Sequence, residues 1–278
     1  MSVKKILEFN PSGPSAVFKT LQIILQEKPG TFEITHHAEF SMDLLAGNDL
    51  ALLTFALAEG LLPQLPTQPP LVKSLQSFDS FVPEDGHWYP RLFLFEAIRK
   101  VLVANARDLD NRSSAFIVGE GAESRVAAAV CAHLGYSEIY LIGDNPEVMS
   151  ESVKVLSRGH FGIKFMVLPV EELTIQAVSS SLVINTVNLK EHEALLNDLC
   201  YFNFLKSTGY ALDCYFENLD SPLLEEAGKA GLQVLYPVQV LRSLVELYLE
   251  KIGQQSLLSS DELQVIILKN AKEISSSV

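Results

Sequence analysis

SAFIVGEGAESR, residues 114–125, is the stretch that decides the fold. Ser114–Val118 is a short apolar run of the kind that fills a buried strand. Gly119 and Gly121 follow at once, and then an alanine-rich segment, Ser124–Leu134, that stops at Gly135. Alanine favours helix and glycine ends it, so a strand turns tightly into a helix here. Gly119 permits the turn and Gly121 lets backbone approach a pyrophosphate. Ser124 is small enough for helix and strand to pack, and the helix N-terminus faces the phosphates. The pattern alone is weak, because such turns use glycine without binding anything; its setting gives it weight.

That setting is a regular alternation. Glu138–Ile142 reads as a strand, Glu147–Leu156 as a helix, Ile163–Leu168 as a strand and Val170–Val178 as a helix. Ser181–Asn185 and Tyr210–Tyr215 read as strands. Ser221-Pro222 opens a helix to Lys229, with Ser as N-cap and Pro in the first turn. Leu232–Tyr236 is a last strand before a helix over Val238–Ile252. Strands and helices at this spacing specify an α/β chain with a Rossmann-type, doubly wound parallel sheet.

The first half is less regular and reads as a smaller α/β domain. Val3–Phe9, Thr31–Thr35 and Asp49–Leu57 resemble strands, and Ser15–Gln26, Phe40–Ala46 and Arg91–Val103 helices. Pro63–Pro70 holds four prolines and is neither helix interior nor central strand. The polar stretch Asn105–Arg112 marks the boundary, which places an N-terminal domain at 1–108 and the Rossmann domain at 109–237. Ser259–Ile274 reads as a terminal helix with an apolar face, and no internal repeat is visible.

The 278 residues, 48% apolar and 20% charged, suit about two globular domains. The formal net charge is −13, with 9 basic against 13 acidic side chains in residues 1–110 and 12 against 21 in residues 111–278. Such a surface repels a polyanion, so no nucleic-acid partner is expected. Cys131, Cys200 and Cys214 are odd in number and lack a CxxC pair, which argues against a disulfide framework or a structural zinc site. His36 and His37 are adjacent and would face opposite sides of a strand, so no metal site is expected. The apolar run Leu50–Ala58 is far short of a bilayer span, and Glu8 and Asn10 interrupt any signal-peptide core. The expectation is a soluble cytoplasmic protein with no membrane partner. A homodimer is compatible with the sequence.

The candidate cofactor-binding residues are Gly119, Gly121, Ser124, Arg125, Asp144 and Asn145. Asp144 follows the second strand, where an acidic residue would accept from the ribose hydroxyls of NAD and oppose the 2′-phosphate of NADP. Equally, Asp144-Asn145-Pro146 suits the cap of the next helix, and both readings stand. The loop also carries Glu120 and Glu123, and a carboxylate is unfavourable beside a diphosphate. Arg125 would offset it by turning toward the site. The cofactor is therefore undetermined, with NAD favoured over NADP for any dinucleotide.

The combination resembles the shikimate dehydrogenase family. Gly119–Gly135 follows its Gly-Ala-Gly-Gly-Ala-Ser/Ala-Arg turn and helix, and Ser181–Thr186 is similar to its Leu-Val-Ile-Asn-Ala-Thr strand. Asp213–Leu224 matches its Asp-Leu-Val-Tyr-Asn-Pro-Leu-Glu-Thr-Pro-Leu-Leu without a gap, and Tyr236–Gly253 overlays its closing helix. In the first half, Leu52–Leu65 aligns with the family's Asn-Val-Thr-Ile-Pro-His-Lys segment and the residues that follow it. Thr54, Glu59, Leu62, Pro63 and Leu65 coincide. The resemblance implies a substrate-binding N-terminal domain that the helices after 238 rejoin, a cleft between two domains and a nicotinamide cofactor.

The departures fall on the chemistry the resemblance implies. The family's lysine and aspartate flank the substrate hydroxyl and set each other's proton affinity. Here the lysine position is Ala58, and the aspartate position falls near Arg91. The substrate asparagine becomes Leu52, the tyrosine Phe216 and the glutamine of the closing helix Ser243. Ser12 and Ser15 lie near the N-terminal serine pair, and the basic cofactor motif reads Gly143-Asp144-Asn145. A polyhydroxylated anion left with Ala, Leu and Phe would lose about 1–3 kcal/mol for each unpaired group. The sequence therefore reads as a shikimate dehydrogenase-like protein without catalytic residues, a module for a small molecule, a nucleotide or a protein partner. The alternative is an active NAD(P)-dependent oxidoreductase with a changed substrate. Lys73, the one lysine near the altered segment, suits a solvated loop or helix start, and His87-Trp88-Tyr89 a packed inter-domain contact.

Overall fold

The computed structural model describes residues 3–176 and 180–275. The N-terminal half begins with β1 (Lys4–Phe9), α1 (Ala16–Glu27), β2 (Phe32–His37), α2 (Met42–Leu45), β3 (Leu50–Leu53) and α3 (Phe55–Leu61). It continues with α4 (Pro70–Leu75), β4 (Ser80–Glu84), β5 (His87–Arg91) and α5 (Phe93–Asn105). Capping sets several boundaries: the Ser15 hydroxyl accepts from Phe18 N at 3.1 Å and starts α1, and Pro70 opens α4 at the position where its missing N–H is not needed. The sheet order is β2-β1-β3-β4-β5, with β1 parallel to β2 and β3, and β4 antiparallel to both β3 and β5. Asp85 and Gly86 take left-handed φ of 49° and 77°, the geometry of a two-residue hairpin turn that matches the strand twist. Leu7, Phe9, Ala51, Ala58, Phe78 and Phe81 belong to the buried apolar cluster on this sheet.

The second half runs β6 (Ser114–Val118), α6 (Ala122–His133), β7 (Glu138–Ile142), α7 (Pro146–Gly159), β8 (Lys164–Leu168) and α8 (Val170–Leu173). It then runs β9 (Ser180–Asn185), α9 (Glu193–Leu199), β10 (Leu205–Asp213), α10 (Pro222–Lys229) and β11 (Gln233–Leu235). All six strands are parallel, in the order β11-β10-β9-β6-β7-β8. β6 and β9 are buried along their whole length, as parallel strands covered on both faces must be. The winding reverses between β6 and β9, and ligands of such sheets bind in the crevice beyond the strand ends at that point. α11 (Pro237–Lys251), α12 (Ser260–Lys269) and α13 (Ala271–Ser275) close the chain, and α12 and α13 pack on α1. Two compact units result, residues 1–97 with 238–278, and residues 98–237. The first division falls inside α5, upstream of the polar stretch that set the sequence boundary at 108.

Several elements differ from the sequence reading. The expected strand over Asp49–Leu57 is β3 followed by α3, because Thr54 starts a helix inside one continuous apolar run, where periodicity cannot separate strand from helix. Arg91 belongs to β5, so the helix begins at Phe93. His87-Trp88-Tyr89 forms the second arm of a hairpin, and Trp88 packs on the core of its own unit. The helix expected over Val170–Val178 ends at Leu173, and Val178 lies outside the described residues. The terminal helix is broken at Asn270 into α12 and α13.

Candidate functional site

β6 delivers the chain to Gly119, whose φ of 134° is one that side-chain-bearing residues rarely adopt. Its N–H donates to Ile142 O at 2.8 Å, at the end of β7. A Cβ here would overlap the hydroxyl of Thr186, which itself donates to Val118 O at 2.8 Å. The turns after β6 and β9 therefore close on one another at a point only glycine fits. Gly121 is the extended N-cap of α6, and no side chain caps it. Ser124 is fully buried and donates to Gly121 O at 2.7 Å, which explains the small residue at this position.

Glu120 stands between the two glycines. Its carboxylate accepts from the backbone N–H of Asn145. Its stem lies so close to Gly143 that a Cβ there would sit 2.7 Å from Glu120 Cγ and 2.8 Å from Oε1. The side chain thus bridges the first strand–helix turn and the end of β7. Asn145 is the N-cap of α7, its Oδ1 accepting from Glu147 N at 3.2 Å and Val148 N at 3.3 Å. Asp144 takes no part in that cap; its carboxylate meets His192 Nδ1 at 2.8 Å, just before α9. Arg125 is buried, with Nη1 3.5 Å from Ser152 Oγ on α7, and Ser152 in turn donates to Glu120 O at 3.4 Å. Its guanidinium is directed at α7.

The turn has the backbone of a dinucleotide site, but the side chains around it do not fit a diphosphate. A negative charge about 4 Å from the Glu120 carboxylate meets a repulsion of about 1 kcal/mol in water, and about 4 kcal/mol at an effective dielectric near 20. The α6 terminus offers roughly half a positive charge against it.

On the other side of the switch point the frame is tightly bonded. Asp213, at the end of β10, accepts from Asn185 Nδ2 at 2.9 Å, Tyr215 N at 2.9 Å and Ser221 Oγ at 2.5 Å. Asn185 also donates to Val187 O at 2.8 Å, and Ser221 caps α10. Burial pushes the Asp213 carboxyl up to about 6 against these bonds. This network holds the turns after β9 and β10, and Phe216 lies just beyond it, half-buried. In the sequence Asn185 and Asp213 stand only as matches to a family pattern and Ser221 as a helix cap; their mutual spacing does not reveal that they meet.

In the first unit, Ala58 lies on α3, fully buried within the apolar cluster of Leu7, Phe9 and Phe81. Leu52 is buried on β3. Arg91 pairs with Glu84 at 2.6 Å, which Lys251 also reaches at 3.2 Å, and the two cations hold that carboxyl below its ordinary range. Ser15 donates to the buried Glu8 while capping α1, Ser12 is exposed, and Ser243 is buried with no hydrogen-bond partner for its hydroxyl. Lys73 is exposed on α4. Asp79 carries no signal in the sequence. Its carboxylate accepts from Phe93 N at 3.0 Å, Leu94 N at 2.7 Å and Ser80 Oγ at 2.8 Å, so it anchors the start of α5, and burial pushes it up to about 6. A groove of about 570 Å³ lies between α3 and the β4–β5 hairpin, its lining including Phe40, Leu61, Leu65, Phe81, Gln64 and Trp88. None of its lining residues is Asp, Glu, Lys or Arg.

Among the described residues no group of three His, Cys, Asp or Glu could hold a metal ion, and no helix is long and apolar enough to cross a membrane. No protein-family model matches the chain, and no curated protein sequence matches it. Solved structures do. Shikimate 5-dehydrogenase from Thermus thermophilus, in complex with NADP(H) and shikimate, is 15% identical, with a TM-score of 0.73 over 96% of this chain and 99% of that one. Quinate dehydrogenase from Corynebacterium glutamicum, in complex with NAD, is 11% identical, with a TM-score of 0.75 over 96% and 99%. Shikimate dehydrogenase from Mycobacterium tuberculosis is 14% identical, with a TM-score of 0.74 over 96% and 100%. The chain has the fold of the shikimate and quinate dehydrogenases.

Proposed function

We propose that this protein is a divergent relative of the shikimate and quinate dehydrogenases that no longer transfers hydride and acts as a binding module for a small molecule or a protein partner. The observation that carries the reading is Ala58. It falls where the resemblance puts the family's lysine, and it lies fully buried in an apolar cluster. The side chains packed with it include Leu7, Phe9 and Phe81, and an ammonium held among such apolar groups would cost several kcal/mol. The aspartate position falls near Arg91, a cation already paired with Glu84. An acid–base pair at the substrate hydroxyl has no candidate in these residues.

A second reading, an active NAD(P)-dependent oxidoreductase with a changed substrate, is favoured by one observation. The Asn185–Asp213–Ser221 network keeps the turns beyond β9 and β10 in order. One assay separates the two. Purified protein mixed with shikimate or quinate and either NAD or NADP is expected to give no rise in absorbance at 340 nm. Sustained turnover would overturn the first reading and support the second.

A further inference from the structure

We infer that Glu120 is the residue that closes the dinucleotide crevice of this chain to phosphate-bearing ligands. The inference rests on the binding-module reading above and narrows it to ligands without a diphosphate. Three observations carry it together. First, the Glu120 carboxylate accepts from the Asn145 N–H, so the backbone donor that the β7–α7 turn presents toward the crevice is already taken. Second, Glu120 lies against Gly143, where a Cβ would meet Cγ at 2.7 Å and Oε1 at 2.8 Å. The side chain therefore lies in the gap between the glycine turn and the second strand end, the gap that the adenosine half of a dinucleotide crosses. Third, two basic side chains near the turn already have partners: Arg125 Nη1 lies 3.5 Å from Ser152 Oγ, and His192 Nδ1 lies 2.8 Å from the Asp144 carboxylate.

The backbone of the turn still suits a phosphate. Gly119 has a φ of 134°, Gly121 is an extended N-cap with no side-chain cap, and Ser124 in the first turn of α6 donates back to Gly121 O. Although Glu123 also brings a carboxylate to the α6 terminus, it is Glu120 that bridges to the β7–α7 turn. Its effect combines charge with volume, and two substitutions part them. Glu120→Gln keeps the length and an amide oxygen for Asn145 N–H while removing the charge. Glu120→Ala removes both.

The test is calorimetric titration of the full-length protein with NAD, NADP and ADP, with a thermal melt of each variant to confirm folding. The native protein is expected to bind none of the three at millimolar concentration. Glu120→Ala is expected to gain at least tenfold in affinity for all three, and Glu120→Gln to gain less. Tight binding of NAD by the native protein, lost in Glu120→Ala, would overturn the inference and make Glu120 a ribose acceptor. Equal affinity in native protein and Glu120→Ala would also overturn it. So would a folded Glu120→Ala protein that still binds none of the three. None of these results restores turnover at 340 nm, which alone decides the reading beneath.

Discussion

Gly119 is held by two demands at once, a φ of 134° and a Thr186 hydroxyl where a Cβ would stand. Gly121 meets neither, since its Cβ would encounter only the flexible end of Glu123, at 3.0 Å. The two glycines therefore answer differently to alanine. Gly119→Ala is expected to cost about 2–4 kcal/mol, from backbone strain added to a clash with backbone-anchored Thr186. Gly121→Ala is expected to cost less than about 1 kcal/mol. Chemical denaturation of both variants checks the contrast, and equal losses would show that the turn after β9 yields easily. The same scale shows what sequence could and could not read. The glycine spacing identified the turn directly. The role of Glu120 was visible only as a charge in an unsuitable place, because its partner, Asn145 N–H, is a backbone group with no signature in the sequence.

Among the elements, the β4–β5 hairpin has no counterpart in the sequence reading, and it lines the aromatic groove. Asp85-Gly86 is a hairpin signal in itself. Pro83 and Pro90 argue against strands on either side of it, yet both sit in a two-stranded arm at one edge of the sheet, where proline is tolerated. Trp88 is the only tryptophan in the chain and lines that groove, so its emission reports on it alone. Aromatic walls without a carboxylate, lysine or arginine suit a neutral planar molecule. Nile red is expected to quench Trp88 emission on excitation at the tryptophan edge, and Leu61→Asp to abolish the effect. Unchanged emission at saturating dye would rule the groove out as a binding site.

On the scale of the whole molecule, both compact units carry a buried carboxyl that shifts in the same direction with the same cause. Asp79 in the first and Asp213 in the second are both pushed up to about 6 from an ordinary 3.8, chiefly by burial. Below 3.8 folded and unfolded chains both hold these protons. Between 3.8 and about 6 the unfolded chain releases them while the folded chain keeps them, so stability falls as pH rises through that window. The loss is complete above about 6 and amounts to about 3 kcal/mol for each group. Half-buried Glu84 and exposed Asp110 and Glu262 shift the opposite way, but solvent screens them. Melting temperature measured from about pH 4 to about pH 7 in the native protein and in Asp79→Asn is expected to decline less in the variant. Parallel curves would show that the Asp79 carboxyl is not held out of water.

The sequence by itself determined the alternation of strands and helices in the second half, the glycine turn and the family it resembles. Those features are written in local spacing and in the burial of whole apolar strands. Tertiary structure decided which residues meet. It placed Ala58 inside an apolar core, joined Asn185, Asp213 and Ser221 across two turns, gave Asp144 to His192 and laid Glu120 against Gly143. Each of these contacts links residues far apart in sequence or engages a backbone group, and packing geometry, not residue type, sets such meetings.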